Sequence, residues 1–249
     1  MDYKYKYLKY KNKYLQLKFN QYGGYMEYIE NNVKYKIYDC KDDKDKVIPV
    51  IENILQTLTN KNVDYVREYI NDMFKKFNIE MPINFDYNTE SDVYKSYDNI
   101  YYGILSFLNN IKNNEIKSEP NNKLLFIVAE INDIIVGNIF LWRYELNFAM
   151  QYIMKNIFLN KIIKFLPFKI NIADILLQCI QRIIQSKNGK YLFVKPINKM
   201  IDILKARGFN DTRDSIILSL SRPLFEFRWK NHPIILGTNH VYVFYKEFK

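Results

Sequence analysis

The stretch from Ile163 to Phe209 constrains the fold most strongly, because apolar runs alternate in it with amphipathic helical patterns. An extended apolar segment, 162–168, leads into a segment whose apolar residues recur at three- and four-residue spacing, as on the buried face of a helix. Those residues are Ile172, Ile175, Leu176, Cys179, Ile180, Ile183 and Ile184. Asn188-Gly189 then supplies a typical helix end.

A second strand and a second helix complete this stretch. The run 191–194 is short and apolar, and the helix after it ends at Gly208, where Phe209 can make the apolar contact beyond the cap. Strand, helix, strand and helix in this order predict a right-handed crossover. We therefore expect segments 163–168 and 191–195 to be neighbouring parallel strands that diverge at their C-terminal ends.

The rest of the chain adds strands and helices around this unit. Alternating apolar residues at 33–37 predict a first strand, and three helical patterns follow it: one that begins near Asp42 and reaches Leu58, one at 62–77 and one at 91–111. Two β-rich runs, 124–131 and 134–142, are joined by Asn132-Asp133, which favours a tight hairpin. Gly137 in the second run indicates a bulge or a close backbone approach. Segments 215–220 and 241–248 are predicted to be two further strands.

These elements predict one α/β (α+β) domain, 25–249, built on a mixed, mainly antiparallel sheet of six to seven strands with helices on both faces. Residues 1–24 are predicted to form a separate Lys- and Tyr-rich leader, a basic helix whose Tyr residues follow a heptad-like spacing. Six Lys and one Asp in the first 22 residues account for about half of the net charge of +10. The leader is interpreted either as a docking or phosphate-binding arm or as a solvated tail.

The crossover unit and the hairpin resemble the GNAT superfamily of acyl-CoA-dependent N-acyltransferases. That family has a pyrophosphate loop, Q/R-x-x-G-x-G/A, followed by a helix that begins with a Leu pair. Leu176-Leu177 matches the pair, and Phe168, Asn171 and Ala173 fall at the three motif positions. The resemblance covers residues 33–223 and implies a GNAT-like sheet.

The resemblance also implies acetyl-CoA as the cosubstrate and a binding site at the helix that starts near Asn171. The pyrophosphate is expected on the backbone at the positively polarised helix N-terminus. The pantetheine is expected along a strand edge, and the oxyanion is expected to meet a backbone N–H at 166–168. The residues that the resemblance assigns to the cofactor are Leu166, Pro167, Lys169, Ile170, Asn171, Ile172, Ala173, Asp174 and Asn198.

The sequence offers fewer candidate catalytic residues than candidate cofactor-binding residues. The family's Tyr, which can protonate the leaving thiolate, corresponds to Leu204, which has no proton to give. Glu130 and Glu145 flank the hairpin and are candidate general bases, acting directly or through water, although both also fit solvated strand ends. His232 and His240 lack Cys or acidic partners at ligand spacing, so no metal site is expected.

Cysteine usage and hydropathy indicate the compartment. Cys40 and Cys179 suggest no disulfide framework, which favours a reducing, intracellular location. The most apolar region, 148–184, is interrupted by charged residues, so no membrane span is expected. Similar Lys-Tyr leaders occur in proteins of giant DNA viruses that infect amoebae, which would make the location a host cytoplasm or a virion.

The leading hypothesis is therefore an N-acyltransferase that moves an acetyl group from acetyl-CoA to an unidentified amine on a small molecule or a protein. One alternative is a catalytically silent GNAT-fold binding or virion protein. Another is a protein that binds nucleic acid weakly through residues 1–22. The sequence predicts no oligomeric state.

Overall fold

A computed structural model describes residues 25–59, 62–87, 91–116, 122–194, 201–212, 216–217, 219–220, 224 and 243–248. The predictions for the leader, 1–24, and for Asn198 lie outside these residues and stay predictions. Within them, no helix is both long and apolar enough to cross a membrane.

Eight strands in the described residues form one sheet, in the order β1-β2-β3-β4-β5-β6-β8-β7. β5 and β6 are parallel, and every other neighbouring pair is antiparallel. The predicted mixed, mainly antiparallel sheet is thus confirmed, with more strands than the six to seven expected. The strands are β1 Met26–Glu30, β2 Val33–Asp39, β3 Asn122–Ile131, β4 Ile134–Tyr144, β5 Asn147–Lys155, β6 Tyr191–Val194, β7 Asn210–Thr212 and β8 Val243–Glu247.

The helices lie on both faces of this sheet, as predicted. They are α1 Lys44–Thr59, α2 Val63–Lys76, α3 Ser91–Lys112, α4 Leu159–Ile162, α5 Ile172–Ser186 and α6 Ile201–Ala206. The ring of Phe107 in α3 stacks on Phe140 of β4, with 4.7 Å between ring centroids. Side chains of α5 meet the same strand at Gly137, three positions away and therefore on the opposite face.

The predicted hairpin and the helix ends are confirmed. Asn132 and Asp133 both adopt positive φ, 50° and 58°, in the turn between β3 and β4. The β3–β4 register shifts between Ala129 and Glu130, which confirms the bulge expected near Gly137. Gly208 has φ 75° after α6, and the Phe209 N–H donates to the Leu204 carbonyl at 3.1 Å.

The prediction that 163–168 forms the first strand of the parallel pair is wrong. Residues 163–165 form a 3₁₀ turn, and β6 pairs instead with β5. The apolar character of 162–168 has another cause: Ile162 is fully buried, and Phe165 packs on Phe74 of α2, with ring centroids 5.7 Å apart. A turn that packs against a helix can be as apolar as a buried strand, so the composition of 162–168 led to the wrong prediction.

One of the two strands predicted near the C-terminus, 215–220, is also wrong. Residues 216–217 and 219–220 are helical, whereas Val243–Glu247 forms β8 and confirms the strand predicted at 241–248.

Both cysteines are free thiols buried in the core: Cys40 is 1% exposed and Cys179 is fully buried. Burial raises the pKa of the Cys179 thiol to about 12, so it stays protonated.

Candidate functional site

The described residues of β6 pair with the first half of β5. Their pairing covers Asn147–Met150 of β5 and ends at Val194, although β5 continues to Lys155. Over these last residues β5 is paired on its other side, to β4, where Lys155 lies opposite Gly137. The described residues of β6 reach no further along β5 than Met150.

The N-terminus of α5 lies directly over this end of β5. A Cβ added to Gly137 would overlap Ile172, the first residue of α5, and would come within 2.9 Å of the Met154 carbonyl oxygen. Glycine at this position therefore lets the helix start approach the two strands closely. Further along α5, the Tyr35 hydroxyl of β2 donates to the Ile175 carbonyl at 3.2 Å and helps to hold the helix on the sheet.

Asn171 caps α5, as its residue type predicts. It has extended backbone angles, φ −110° and ψ 96°, and its Oδ1 accepts the Asp174 N–H at 3.3 Å. The cap serves the third N–H of the first turn, which leaves those of Ile172 and Ala173 directed out of the helix end. Two outward N–H groups and the helix dipole favour an anion at this point.

Asp174 in the first turn is compensated by a residue that sequence reasoning missed. The Arg207 guanidinium, just after α6, forms an ion pair and a hydrogen bond with the Asp174 carboxylate. Arg207 also donates to the Ile203 carbonyl at 3.2 Å, which fixes its position. The carboxylate that would repel a bound anion is therefore partly neutralised.

Lys155 is a second residue that sequence reasoning missed. Consecutive cross-strand partners, Gly137 with Lys155 and Asn138 with Met154, put Lys155 on the α5 face of the sheet. Its side chain is half-buried, and burial lowers the pKa of its ammonium group. Together with exposed Lys169, it adds positive charge beside the start of α5. Only the β4–β5 register reveals it, because in the sequence Lys155 merely ends an apolar run.

The structure brings most of the predicted cofactor residues to this helix start. Lys169, Asn171, Ile172, Ala173 and Asp174 form the entry and first turn of α5, and Ile170 is buried beneath it. Leu166 and Pro167 lie on the connection between the 3₁₀ turn and α5 and belong to no strand. The strand edge predicted at those two residues is wrong.

The two predicted bases lie far apart. The Glu130 carboxylate is 2.7 Å from the Lys36 ammonium group, and Glu130 is only 7% exposed. Glu145 is exposed, with φ 54°, in the turn before β5. It is thus at the opposite end of a nine-residue strand from Lys155, a distance on the order of 25 Å. The structure does not bring Glu145 to the cleft.

A small cavity of about 30 Å³ lies at the same end of β5 but on the other sheet face, against α1 and α2. Its apolar walls are Ile54, Leu58, Ile135, Met154 and Ile157, and its polar walls are Asn53, Thr57, Tyr69, Asn138, Lys155 and Asn156. The register puts the Lys155 side chain on the α5 face, so the polar side chains on the cavity side are neutral. Among the described residues, no carboxylate lines it.

Tyr69 and Asn156 form one wall of this cavity. Asn156 Nδ2 donates to the Tyr69 hydroxyl at 3.0 Å and to the Ile135 carbonyl at 2.8 Å. Burial raises the pKa of Tyr69, and the bond from Asn156 offsets this only in part. Tyr69 therefore stays protonated at neutral pH, and its own proton is not used in the bond with Asn156.

Asn138 forms another wall and leaves a polar atom unsatisfied. Asn138 is 3% exposed, and its Oδ1 has no hydrogen-bond partner among the described residues. An unpaired buried polar group costs about 1–3 kcal/mol of folding free energy. Such an amide at the edge of a cavity is a candidate for binding a ligand that completes its hydrogen bonds. No group of residues that could hold a metal ion occurs in the described part of the chain.

Comparison with known proteins gives distant structural likenesses. No protein-family model matches the chain, and no curated protein sequence matches it. An uncharacterised protein from Bacillus halodurans is 10% identical, with a TM-score of 0.43 and 90% of each chain covered. An acetyltransferase from Streptococcus agalactiae is 12% identical, with a TM-score of 0.39 over 88% of this chain and 100% of that one. The PaiA N-acetyltransferase from Thermoplasma acidophilum, solved with coenzyme A, is 13% identical, with a TM-score of 0.35 over 86% and 99%. Likenesses this distant carry no functional weight.

Proposed function

We propose that this chain is an acyl-CoA-dependent N-acyltransferase that moves an acetyl group from acetyl-CoA to an amine on a small molecule or a protein. One observation supports this most: a capped helix start, flanked by Lys155 and Lys169, lies directly over β5 at Gly137 and Met154. A strand edge beside an anion site suits a long ligand that has phosphates at one end and an amide-rich arm.

On this proposal, the α5 face binds the donor. The N–H groups of Ile172 and Ala173 receive the pyrophosphate, and Lys155 and Lys169 supply positive charge. The β5 edge from Gln151 to Lys155 offers backbone groups to the pantetheine amides. A backbone N–H on that edge also suits the thioester oxygen, where negative charge develops during transfer. Acetyl-CoA supplies the activated acetyl group.

We assign proton transfer to residues on the other face of the sheet, against α1 and α2. Leu204 is 1% exposed in the core and cannot act as an acid. Two hydroxyls line the cavity at the end of β5, and that of Thr57 already donates to the Asn53 carbonyl. We therefore assign to Tyr69 the proton that the leaving thiolate takes up. Glu130 remains a candidate base through water, although its carboxylate is already paired with Lys36. Glu145 is left out because it lies at the far end of β5.

Calorimetry with two donors tests the proposal. Acetyl-CoA should bind saturably, whereas S-acetylpantetheine, which carries the same thioester without phosphates, should bind at least tenfold more weakly. A thermal-shift series gives an independent readout, since a ligand at about 100 times its Kd adds roughly 2.7 kcal/mol of stability. No binding of either donor would overturn the proposal and favour a catalytically silent domain. Equal affinities would place the ligand away from α5.

A further inference from the structure

The cavity against α1 and α2 differs from an ordinary packing gap because Asn138, one of its walls, has an amide oxygen without a partner among the described residues. The amide belongs to a β4 residue that is 3% exposed and is a wall of the cavity. A half-turn of the amide exchanges its oxygen and nitrogen, so Asn138 can present an acceptor to a ligand in the cavity. That acceptor requires an N–H or O–H donor.

The electrostatics of the cavity restrict which amine can be that donor. Lys155 also lines the cavity, but the strand register places its side chain on the α5 face. The other polar side chains on the walls, those of Asn53, Thr57, Tyr69, Asn138 and Asn156, are uncharged. Glu130 lies on the same sheet face, since Val128, its alternate neighbour, pairs with Asn138, but its carboxylate is held by Lys36 at 2.7 Å. A neutral wall gives an ammonium ion no compensation for lost hydration.

Amines differ greatly in how readily they lose that charge. At pH 7.5 about a third of an α-amino group with a pKa near 7.8 is uncharged, whereas a lysine ε-amino group with a pKa near 10.4 is uncharged in about one molecule per thousand. The free-base fractions differ by roughly 300-fold. A cavity whose described walls carry no carboxylate therefore selects weakly basic amines.

We propose that Asn138 binds the amine of the acetyl acceptor, and that the acceptor is a small, weakly basic primary amine of the α-amino type, a proposal that rests on the acyltransferase function above. Asn138 accepts an N–H from the uncharged amine and leaves its lone pair free. The volume of about 30 Å³ admits an amino group and little more, so the remainder of the acceptor lies outside the cavity.

The test measures thiol release from acetyl-CoA with alaninamide, Nα-acetyllysinamide and spermidine at pH 7.5. In the parent chain, kcat/KM should be at least tenfold higher with alaninamide than with the two strongly basic amines. Asn138→Leu should lower kcat/KM with alaninamide by tenfold or more while the melting temperature stays equal or rises, because an unsatisfied buried amide is removed. A structural asparagine would instead lose stability.

Asn138→Asp is the matched variant, since it keeps the shape and adds the missing carboxylate. It should move the preference toward Nα-acetyllysinamide. Preference of the parent for a strongly basic amine, or unchanged thiol release in Asn138→Leu, would overturn the inference. Acetyl-CoA that binds by calorimetry without thiol release to any of the three amines would overturn it as well, with the donor site intact. Absence of acetyl-CoA binding would remove the acyltransferase proposal itself.

Discussion

The two faces of the sheet at the end of β5 are built from opposite chemistry. On the α5 face, a helix N-terminus, Lys155, Lys169 and the Asp174–Arg207 pair concentrate charge. On the α1/α2 face, a few ångströms away through the same strands, the cavity presents neutral amides and hydroxyls. Charge suits a phosphate-bearing donor that must be held by its far end. Neutral groups suit an amine that must be uncharged to react.

The largest effect should come from closing the approach between α5 and the sheet. Gly137→Val puts a branched side chain where even a Cβ comes 2.9 Å from the Met154 carbonyl oxygen. Overpacking of this kind costs about 3 kcal/mol, measurable by urea denaturation, and it moves the first turn of α5 off β5. We expect acetyl-CoA binding to be lost together with the stability.

Gly189→Ala is the control for that variant. It also overpacks, since a Cβ there would lie 2.5 Å from a ring carbon of Phe148 and 2.6 Å from Ile184, but it does so near the C-terminal end of α5. Stability should fall while the acetyl-CoA Kd of the folded protein stays the same. If both glycine variants weaken binding equally, the helix start has no special role.

The sequence predicts the local features of this region but not all of its strands. The hairpin turn at Asn132-Asp133 and the cap at Asn171 are local features, because residue type alone favours positive φ or an N-cap. Strand β5 was missed because it is buried on both faces around Phe148–Met150, which hides the alternation that identifies a strand.

The parts of the site that the sequence does not reveal are those made by distant residues. Arg207 reaches Asp174 across 33 positions, and Lys155 joins the helix start only through the β4–β5 register. The unsatisfied state of Asn138 is likewise a property of its surroundings and not of its type. Local capping was therefore predictable, and electrostatic compensation was not.

The next largest effect concerns charge on the α5 face. Lys155→Met should weaken acetyl-CoA binding about tenfold, or roughly 1.4 kcal/mol, the size of one charge-assisted contact. Lys190→Met is the matched control, since it removes the same net charge beside the first residue of β6, far from α5's start. Calorimetry that shows the same loss in both variants would reduce the effect to net charge.

Asp174→Ser should have a smaller effect of the opposite sign. Binding should become stronger because a like charge leaves the phosphate site and because Arg207, now paired with Asp174, would be released toward the ligand. The gain should be about 1 kcal/mol or less, since helix-end charges contribute that much. In the double variant Asp174→Ser with Arg207→Met, the part due to Arg207 should disappear. Weaker binding in the single variant would mean that the ion pair is needed to hold the first turn.

The smallest effect is a pH dependence that belongs to the α5 face alone. Burial lowers the pKa of Lys155 from its usual 10.5, so in the free protein this ammonium group loses its charge at a lower pH than an exposed lysine does. The charged form binds the phosphates, so acetyl-CoA affinity should decline as pH rises toward and through that lowered pKa, and the total decline cannot exceed the effect of Lys155→Met. Between pH 7.5 and 9 we therefore expect the Kd for acetyl-CoA to rise, by less than the tenfold effect of Lys155→Met. Lys155→Arg keeps its charge over the whole pH range, so its acetyl-CoA affinity should depend less on pH.

The Asn138→Leu variant changes the other face of the sheet, so its acetyl-CoA affinity should depend on pH as the parent's does. A parent profile as flat as that of Lys155→Arg would mean that Lys155 does not contact the donor, and the division of labour between the two faces would then rest on the helix start alone.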